Sequence, residues 1–346
     1  MILPNYDHRM SRSSILSTIE TNDGRLVFMT QSPALTDRRH VRFRSGEADC
    51  AGWHFRAAGQ ASGVCVVMAH GLGAIKEVGL ERFARRFADA GHQVVAFDYR
   101  GFGGSGGSPR QVVNIAGQQQ DWRCAVDFAR TLPGVRADRI VLWGTSYAGG
   151  HVLALAAESS GVAAAIAQAP MADGLTAARG LTVRQSLRLA AHGIWDELRG
   201  RIGRRPHLVG ITGEPGELAL LTSPDAAAGL QILNPDRFPW PNEIAARFAL
   251  HGPFYRPVRS AARITCPLLV VICESDAITP PAAAVRAAEM APRGELVHVP
   301  GGHYAVYEGD GFEQAVSAQL AFLHRHLPAD APPIGGTETV AERQEP

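Results

Sequence analysis

The sequence has 346 residues, of which 46% are hydrophobic and 19% charged, and its formal net charge at pH 7 is +1. This composition supports a large hydrophobic core and excludes a globally disordered chain. The near-neutral charge argues against a nucleic-acid partner, because phosphate binding usually shows as a basic excess. The length is compatible with two domains of about 150 residues or with one larger α/β domain that carries an insertion.

The cysteines number five and form no C-x-x-C pair. This pattern predicts free thiols in a reducing compartment. No segment has the apolar core of a signal peptide, and none approaches the roughly 20 apolar residues of a membrane span. We therefore expect a cytoplasmic protein without a membrane span. The sequence does not define an oligomeric state, and a homo-oligomer would be compatible with it.

The N-terminal part of the chain changes character near residue 39. Residues 1–38 are polar and weakly patterned, which predicts a loose arm. Residues 40–45 then alternate in polarity, residues 46–49 form a turn, and residues 50–56 are extended. This order predicts a β-hairpin.

From residue 64 onward, apolar runs typical of buried strands alternate with segments of helical spacing. Strands are predicted at 64–69, 94–97, 140–143, 162–169, 267–273 and 295–299. Helices are predicted at 77–90, 114–131, 147–158, 281–290 and 312–327. The alternation indicates an α/β fold with a parallel sheet covered on both faces and right-handed crossovers.

One segment interrupts this alternation. Residues 173–262 hold helical pieces at 180–198 and 243–250 among Gly- and Pro-rich stretches, and we interpret them as a cap inserted over the sheet. The core is then formed by residues 39–172 and 263–328. Residues 329–346 are rich in Pro, Gly, Thr and Glu and are predicted to be a disordered tail.

Ser146 stands between a predicted strand and a predicted helix, in the sequence GTSYAGG that begins at Gly144. A tight strand-to-helix turn with serine at its apex is typical of a nucleophile elbow. Residues two before and two after the serine must be small, and Ala148 takes the place of the more usual glycine. The helix N-terminus also favours negative charge that develops beside the serine.

Serine needs a base, and His303 is the strongest candidate. It follows the last predicted strand, in the Gly-rich loop VPGGHY that begins at Val299. The orienting acid should come between serine and histidine, and Asp276 lies just past an apolar strand. Asp173, which follows the preceding strand, is the alternative, whereas Glu274 should point elsewhere.

Two backbone N–H groups should form the oxyanion hole. One is predicted at Tyr147, directly after the nucleophile, and the other at Leu72, in the loop that follows the strand 64–69. We expect His70 to brace that loop rather than act as the base. We likewise expect Asp98 and Arg100 to hold loops together at a Gly-rich corner, although a second catalytic acid is the alternative for Asp98.

The sequence predicts no metal site and no cofactor. It lacks H-E-x-x-H, paired cysteines and a phosphate-binding P-loop, and His324 and His326 diverge on a predicted helix. The basic run 199–205 would suit an anionic substrate or a coenzyme A moiety, but a solvated surface loop is the favoured interpretation.

These motifs, in this order, resemble the α/β-hydrolase superfamily over residues 40–327. The stretches 70–77, 98–103 and 143–151 are similar to a subgroup of bacterial esterase-like hydrolases and of thiohydrolases or acyltransferases of polyketide pathways. The elbow is also similar to the dipeptidyl-peptidase-like branch. The resemblance implies an α/β-hydrolase fold, with a mostly parallel eight-stranded sheet and a helical cap between its sixth and seventh strands. It also implies a catalytic triad of Ser146, Asp276 and His303.

The predicted function is therefore that of a serine hydrolase, which cleaves an ester or thioester of a small-molecule acyl substrate through an acyl-enzyme on Ser146. Two alternatives use the same residues. An acyltransferase would pass the acyl group to an alcohol or amine, and a serine peptidase would cleave an amide. A non-catalytic binding protein is disfavoured, because it would not need all three triad residues.

Overall fold

In a computed structural model of the chain, the described residues are 16–20, 26–30, 38–158, 161–223 and 226–328. For residues 16–20, 26–30, 227 and 228 the description covers the backbone alone. The predicted arm contains strands β1 (Leu16–Glu20) and β2 (Leu26–Thr30), which pair antiparallel. The predicted tail, 329–346, lies outside the described residues.

Eight of the strands form one sheet. In chain order the further strands are β3 (Arg38–Ser45), β4 (Ala48–Phe55), β5 (Cys65–Ala69), β6 (Gln93–Phe97), β7 (Ile140–Thr145), β8 (Ala164–Gln168), β9 (Leu208–Thr212), β10 (Ala219–Leu221), β11 (Glu243–Ala245), β12 (Leu268–Cys273) and β13 (Gly294–Val299). The large sheet has the order β13-β12-β8-β7-β5-β6-β4-β3. In this sheet β4 alone runs in the direction opposite to the other seven strands, which confirms the predicted mostly parallel eight-stranded sheet.

Helices cover both faces of this sheet. They are α1 (Glu81–Asp89), α2 (Ile115–Arg130), α3 (Tyr147–Ala156), α4 (Gly174–Ala178), α5 (Val183–Arg201), α6 (Ala226–Leu233), α7 (Phe248–His251), α8 (Ala282–Met290) and α9 (Gly309–His326). Side chains of α2, α3 and α8 share one apolar cluster with the sheet, and those of α1 and α9 share another. The central strands are buried along their whole length, as expected for a parallel sheet between two helical layers.

The helix predicted from residue 77 begins four residues later, at Glu81. The backbone N–H of Lys76 donates to Asp98 Oδ1 at 2.7 Å, and Gly79 has a φ of +84°. A residue with positive φ does not continue a right-handed helix. Residues 71–80 therefore form turns beside the edge of the sheet instead of a first helical turn.

The cap segment, residues 173–262, differs from the predicted helical cap because it also contains a small sheet of order β10-β9-β11. The predicted helix at 243–250 is wrong in its first half, since residues 243–245 pair antiparallel with β9. The helix predicted at 180–198 is α5, which begins after Thr182. The Thr182 hydroxyl caps α5 by accepting a hydrogen bond from Gln185 N at 3.2 Å.

The cap segment packs on the loop that follows β5. The indole N–H of Trp240 donates to the carbonyl of Gly73 at 2.8 Å. A Cβ at Gly73 would lie 2.5 Å from Ile211 Cδ1 and 2.6 Å from Ile244 Cγ2, so the two parts of the chain approach each other closely. Within the described ranges, every helix is too short or too polar to cross a membrane.

Candidate active site

Ser146 occupies a strained turn at the carboxyl end of β7, directly before α3. Its φ and ψ are 55° and −119°, a region that a residue with a Cβ seldom adopts. Two backbone hydrogen bonds hold the turn: Ser146 N donates to Gln168 O at 2.8 Å, and Met171 N donates to Ser146 O at 2.9 Å. These bonds fix the half-buried serine side chain at the edge of the sheet.

The packing around the turn explains its small residues. A Cβ at Gly144 would lie 2.4 Å from the carbonyl oxygen of Ala148, and one at Gly149 would lie 2.8 Å from Pro170 Cβ. Neither contact is sterically allowed, so both positions require glycine. Ala148 is fully buried and its methyl group packs in the core, so the departure from the usual glycine leaves the turn intact.

The structure brings Ser146, His303 and Asp276 together in one chain of hydrogen bonds. His303 Nε2 lies 3.1 Å from Ser146 Oγ, and His303 Nδ1 lies 2.6 Å from Asp276 Oδ2. His303 is 3% exposed and Asp276 is 5% exposed, so the two form a pair shielded from water. The three residues come from the loops that follow β7, β12 and β13, at the same edge of the sheet.

Asp276 is held as a carboxylate by several donors. Its Oδ1 accepts from Ile278 N at 2.9 Å and from Thr279 N at 2.7 Å, and its Oδ2 accepts from the Thr279 hydroxyl at 2.8 Å. Burial alone would raise the pKa of Asp276, but the His303 ring and the Thr279 hydrogen bonds hold it below its ordinary value. This carboxylate is therefore ionised and suited to face an imidazolium.

Sequence reasoning missed Thr279, which also lies 3.2 Å from His303 Nδ1. Its hydroxyl and backbone N–H both donate to Asp276, so it fixes the orientation of the carboxylate. The signal in the sequence was Asp276 itself, because an aspartate at the start of a turn commonly accepts hydrogen bonds from backbone N–H groups two or three residues further on.

The predicted oxyanion residues flank Ser146. A Cβ on Gly71 would lie 3.2 Å from Ser146 Cβ, so the loop that carries Leu72 passes directly beside the serine. Tyr147 is the first residue of α3, where backbone N–H groups have no acceptor within the helix. Leu72 and Tyr147 both line the cavity that contains Ser146, so both residues border the space where a substrate carbonyl would lie.

The other acidic candidates lie elsewhere in the structure. Asp173 caps α4 and forms an ion pair with Arg256 at 2.7 Å, so it ties together the start and the end of the cap segment. Glu274 is exposed and lies 3.5 Å from His298. Neither carboxylate is hydrogen-bonded to His303.

Asp98 serves as a corner brace, as predicted. It is fully buried and accepts from Lys76 Nζ at 2.7 Å and from Gly104 N at 2.9 Å. The buried His70 ring bonds the Gly71 carbonyl at 3.0 Å and lies 3.8 Å from Asp98. Burial lowers the pKa of His70, so the ring is neutral at pH 7 and braces the loop from which the Leu72 N–H comes.

A cavity of about 340 Å³ extends from Ser146 between the core and the cap segment. Its walls are almost entirely apolar. They include Leu72, Tyr147, Met171, Leu181, Leu189, Ala190, Leu220, Leu221, Phe248 and Ile278. Such a cavity fits an aliphatic or aromatic group attached to the carbonyl that Ser146 would attack.

A second, smaller cavity of about 40 Å³ lies on the His303 side of Ser146. His303, Tyr304, Tyr307 and Trp240 contribute to its walls. The two cavities share Ser146, so the serine hydroxyl stands between a large apolar space and a small one that the histidine faces.

The basic run 199–205 lies at the end of α5 and does not line either cavity. Arg199 donates to the carbonyl of Arg205 at 3.2 Å, whereas Arg201, Arg204 and Arg205 are exposed. This agrees with the favoured interpretation of a solvated surface segment.

Several known proteins are similar to this chain in sequence. Residues 66–316 match the model of the alpha/beta hydrolase family. The chain is 37% identical to the quorum-quenching protein AidA of Acinetobacter baumannii, over 83% of this chain and 95% of that protein. It is 27% identical to the thiohydrolase aneE of Aspergillus aculeatus, over 77% of this chain and 86% of that protein.

The fold is also similar to that of a solved alpha/beta hydrolase structure. The crystal structure of the alpha/beta hydrolase GrgF from Penicillium sp. sh18 superposes with a TM-score of 0.73 and 26% identity, and the match covers 84% of this chain and 99% of that one. The family model spans well over half of the sequence, and the fold has the order of strands and the elbow expected of the family. The chain belongs to the α/β-hydrolase family.

Proposed function

We propose that Ser146 is the nucleophile of a hydrolase that transfers an acyl group from an ester or thioester to water, with His303 as base and Asp276 as the orienting acid. The observation that carries the proposal is the continuous chain of hydrogen bonds from Ser146 Oγ through the His303 ring to Asp276 Oδ2. Three such groups in sequence are the requirement for activating a serine hydroxyl.

In the first step, Ser146 Oγ forms a bond to the substrate carbonyl carbon while His303 Nε2 takes the hydroxyl proton. The carbonyl oxygen becomes an oxyanion, which accepts hydrogen bonds from the N–H groups of Leu72 and Tyr147. The bond to the alcohol or thiol then breaks, and His303 returns the proton to that leaving group. The acyl group remains on Ser146.

In the second step, water takes the place of the leaving group. His303 removes a proton from the water as its oxygen attacks the acyl carbon, and the Ser146 Oγ–carbon bond breaks. The proton on His303 passes to Ser146 Oγ, and a carboxylic acid leaves. Asp276 stabilises the imidazolium that forms in both steps.

The two cavities indicate where the two parts of the substrate would lie. The apolar 340 Å³ cavity does not include His303 among its walls, so it suits the acyl chain. The attacking group must approach from the histidine side, where the cavity holds only about 40 Å³. The alcohol or thiol leaves on the same side, because His303 also protonates it, so this space suits a small leaving group and the water that follows it.

The names of the relatives support the same bond type. One relative is a thiohydrolase and another is a polyketide transferase of Aspergillus fumigatus, so thioester substrates fit this chain as well as esters. We include a cytoplasmic location and a small-molecule substrate in the proposal. The support for the location is that all five cysteines are free thiols, as in a reducing compartment.

The deciding experiment is labelling with a fluorophosphonate probe, followed by peptide mapping. We expect an adduct on Ser146 in the wild-type protein and none in Ser146→Ala or His303→Ala. Ester turnover should fall by about 10⁶-fold in Ser146→Ala. Folded wild-type protein that does not react with the probe would overturn the assignment.

Added nucleophiles separate the hydrolase from the acyltransferase and the peptidase. With an acyl thioester as donor, we expect the free acid as the main product in the presence of millimolar alcohols or amines. Preferential formation of a new ester or amide would assign acyl transfer instead. Faster cleavage of dipeptide amides than of matched esters would assign a peptidase.

A further inference from the structure

Helix α5 exposes large apolar side chains along its outer face. Six of them, in α5 and the residue after it, are between 49 and 78% exposed: Val183, Leu187, Ile194, Trp195, Leu198 and Ile202. At about 100° of rotation per residue these positions fall within an arc of roughly 120°. We call this set the outer stripe. Contiguous apolar patches of this kind mark an interaction surface in a globular fold.

The outer stripe is separate from the face of α5 that packs on the rest of the protein, because α5 has a second apolar face. Leu189 is buried, and Ser186, Leu189 and Ala190 line the cavity that contains Ser146. The inner face therefore completes the proposed acyl site, whereas the outer stripe has no contact role in it.

The charges beside the outer stripe are strongly positive. Residues 183–205 contain six arginines and two acids. Both acids are already paired, since Asp196 is buried against Arg247 at 2.6 Å and Glu197 lies 3.6 Å from His251. The arginines are Arg184, Arg188, Arg199, Arg201, Arg204 and Arg205, and all except Arg199 are exposed.

We propose that α5 and the segment 202–205 dock on an anionic lipid surface. The outer stripe would enter the boundary between headgroups and acyl chains, and the arginines would bind lipid phosphates. A helix of 19 residues is about 28 Å long, which suits a helix that lies in the plane of the interface. A second copy of the chain fits less well, because it would bring two sets of arginines together.

Docking through α5 would also bring the entrance to the proposed acyl site close to the membrane. Arg184 and Arg188 line a surface cavity of about 620 Å³, whose walls share Leu181, Leu220 and Leu221 with the cavity that contains Ser146. Docking would therefore place the approach to Ser146 beside the lipid, where apolar acyl compounds concentrate.

Vesicle flotation with the full chain tests the proposal. We expect binding to vesicles of three parts phosphatidylcholine and one part phosphatidylglycerol, and at least tenfold weaker binding to phosphatidylcholine alone. The double variant Leu187→Glu/Leu198→Glu should lose binding by at least tenfold, and Arg184→Gln/Arg188→Gln should weaken it several-fold. The matched charge control, Arg123→Gln/Arg136→Gln on the α/β core, should bind as the wild type does.

Trp195 supplies a direct readout, because it is 54% exposed while Trp53, Trp122 and Trp143 are at most 3% exposed. Binding should shift tryptophan emission to shorter wavelength, and Trp195→Phe should remove most of that shift. Ser146→Ala should bind vesicles like the wild type, so this result stands apart from the hydrolase assignment. Circular dichroism spectra that match the wild type would show that the glutamate variant is folded.

Three outcomes would overturn the proposal. The first is no binding to either vesicle, and the second is equal binding to both. The third is a wild-type dimer in sedimentation velocity that Leu187→Glu/Leu198→Glu converts to a monomer, which would assign the outer stripe to a second copy of the chain.

Discussion

One substitution at Asp276, the proposed orienting acid, separates the effect of its negative charge from the effect of its shape. An asparagine in place of Asp276 would keep the size of the side chain, but its amide would favour the wrong tautomer of His303. We expect Asp276→Asn to lower kcat for a simple ester by about 10⁴-fold at pH 7, as the loss of the orienting acid does in serine proteases. Steady-state kinetics on protein with an unchanged circular dichroism spectrum provides the measurement.

The control for this change is Glu274→Gln, which alters an exposed carboxylate near His298 on the same strand end. It should change kcat by less than about twofold, in line with most surface substitutions. Retention of more than a tenth of the wild-type kcat in Asp276→Asn would contradict the assigned role.

We expect stability to depend on pH through a buried histidine that is not part of the proposed triad. His151 is fully buried and bonds Tyr255 and Gln118 through its two ring nitrogens. Burial and the neighbouring His70 lower its pKa to about 3. The unfolded ring has a pKa of about 6.5, so the unfolded chain binds a proton first as pH falls. Stability from His151 is therefore complete above about pH 6.5 and is lost progressively down to about pH 3.

We expect His151→Gln to flatten the pH dependence of the free energy of unfolding. Between pH 4 and 6, one titrating group contributes a slope of about 1.4 kcal/mol per pH unit. Urea unfolding at several pH values would reveal the difference, with the exposed His40→Gln as control. Equal slopes for wild type and His151→Gln would contradict the lowered pKa, because they would mean that the folded ring binds its proton at the same pH as the unfolded ring.

At the scale of the element, the strand–turn–helix unit around Ser146 depends on the absence of a side chain at Gly144. A Cβ there would lie 2.4 Å from Ala148 O and 2.8 Å from Val152 Cγ2. We expect Gly144→Ala to lower the free energy of unfolding by about 2–3 kcal/mol. It should also lower kcat by about 10²-fold, because Ser146 would move relative to His303.

Thermal unfolding and ester kinetics, measured together, test this prediction. Gly180→Ala is the matched control, because its Cβ would have an ordinary contact of 3.5 Å with Ala177 O. A Gly144→Ala protein as stable and active as the control would mean that the turn is not rigid.

The same scale explains which elements were predictable. The strands at 140–145 and 268–273 are long apolar runs, and their pattern alone identified them. Strand β11 has only three residues, too few for an alternating pattern, and it forms because β9 lies beside it. The sequence around residue 243 therefore suggested a helix. Partners distant in the sequence decided its structure, as is common for short strands.

In the candidate site, too, some features were predictable from the sequence and others were not. Ser146, His303 and Asp276 stand after strands, so chain order brought them to one edge of the predicted sheet, and the structure places them within hydrogen-bond distance. The aromatic contacts of Tyr147 with Phe248 and Tyr255 were not predictable. They join α3 to the cap segment across about a hundred residues, and no local pattern encodes such a contact.

At the scale of the whole molecule, residues of the core and of the cap segment together line the cavity that we propose as the acyl site. Ala190 lies on the inner face of α5 and lines the 340 Å³ cavity. We expect Ala190→Phe to fill part of that space and lower kcat/KM for long-chain acyl esters. The loss should be at least tenfold relative to acetyl esters, since a few methylene groups in an apolar pocket are worth that much.

The adjacent position supplies the control. Ala191 is exposed on the outside of the same helix, so Ala191→Phe adds the same ring without entering the cavity. A series of p-nitrophenyl esters of increasing chain length would give the comparison. An equal change of chain-length preference in both variants would place the acyl group outside this cavity.

The buried ion pair between Lys76 and Asp98 leaves the protein surface without a lysine side chain. Lys76 is the only lysine in the sequence, and it is 3% exposed, with Nζ 2.6 Å from Glu77 and 2.7 Å from Asp98. The other residues in the count of lysines and arginines are all arginines, whose guanidinium groups stay protonated at any pH at which the protein is folded. Activated acyl compounds modify neutral amines, so a protein proposed to handle reactive acyl donors exposes no lysine side chain that those donors could acylate.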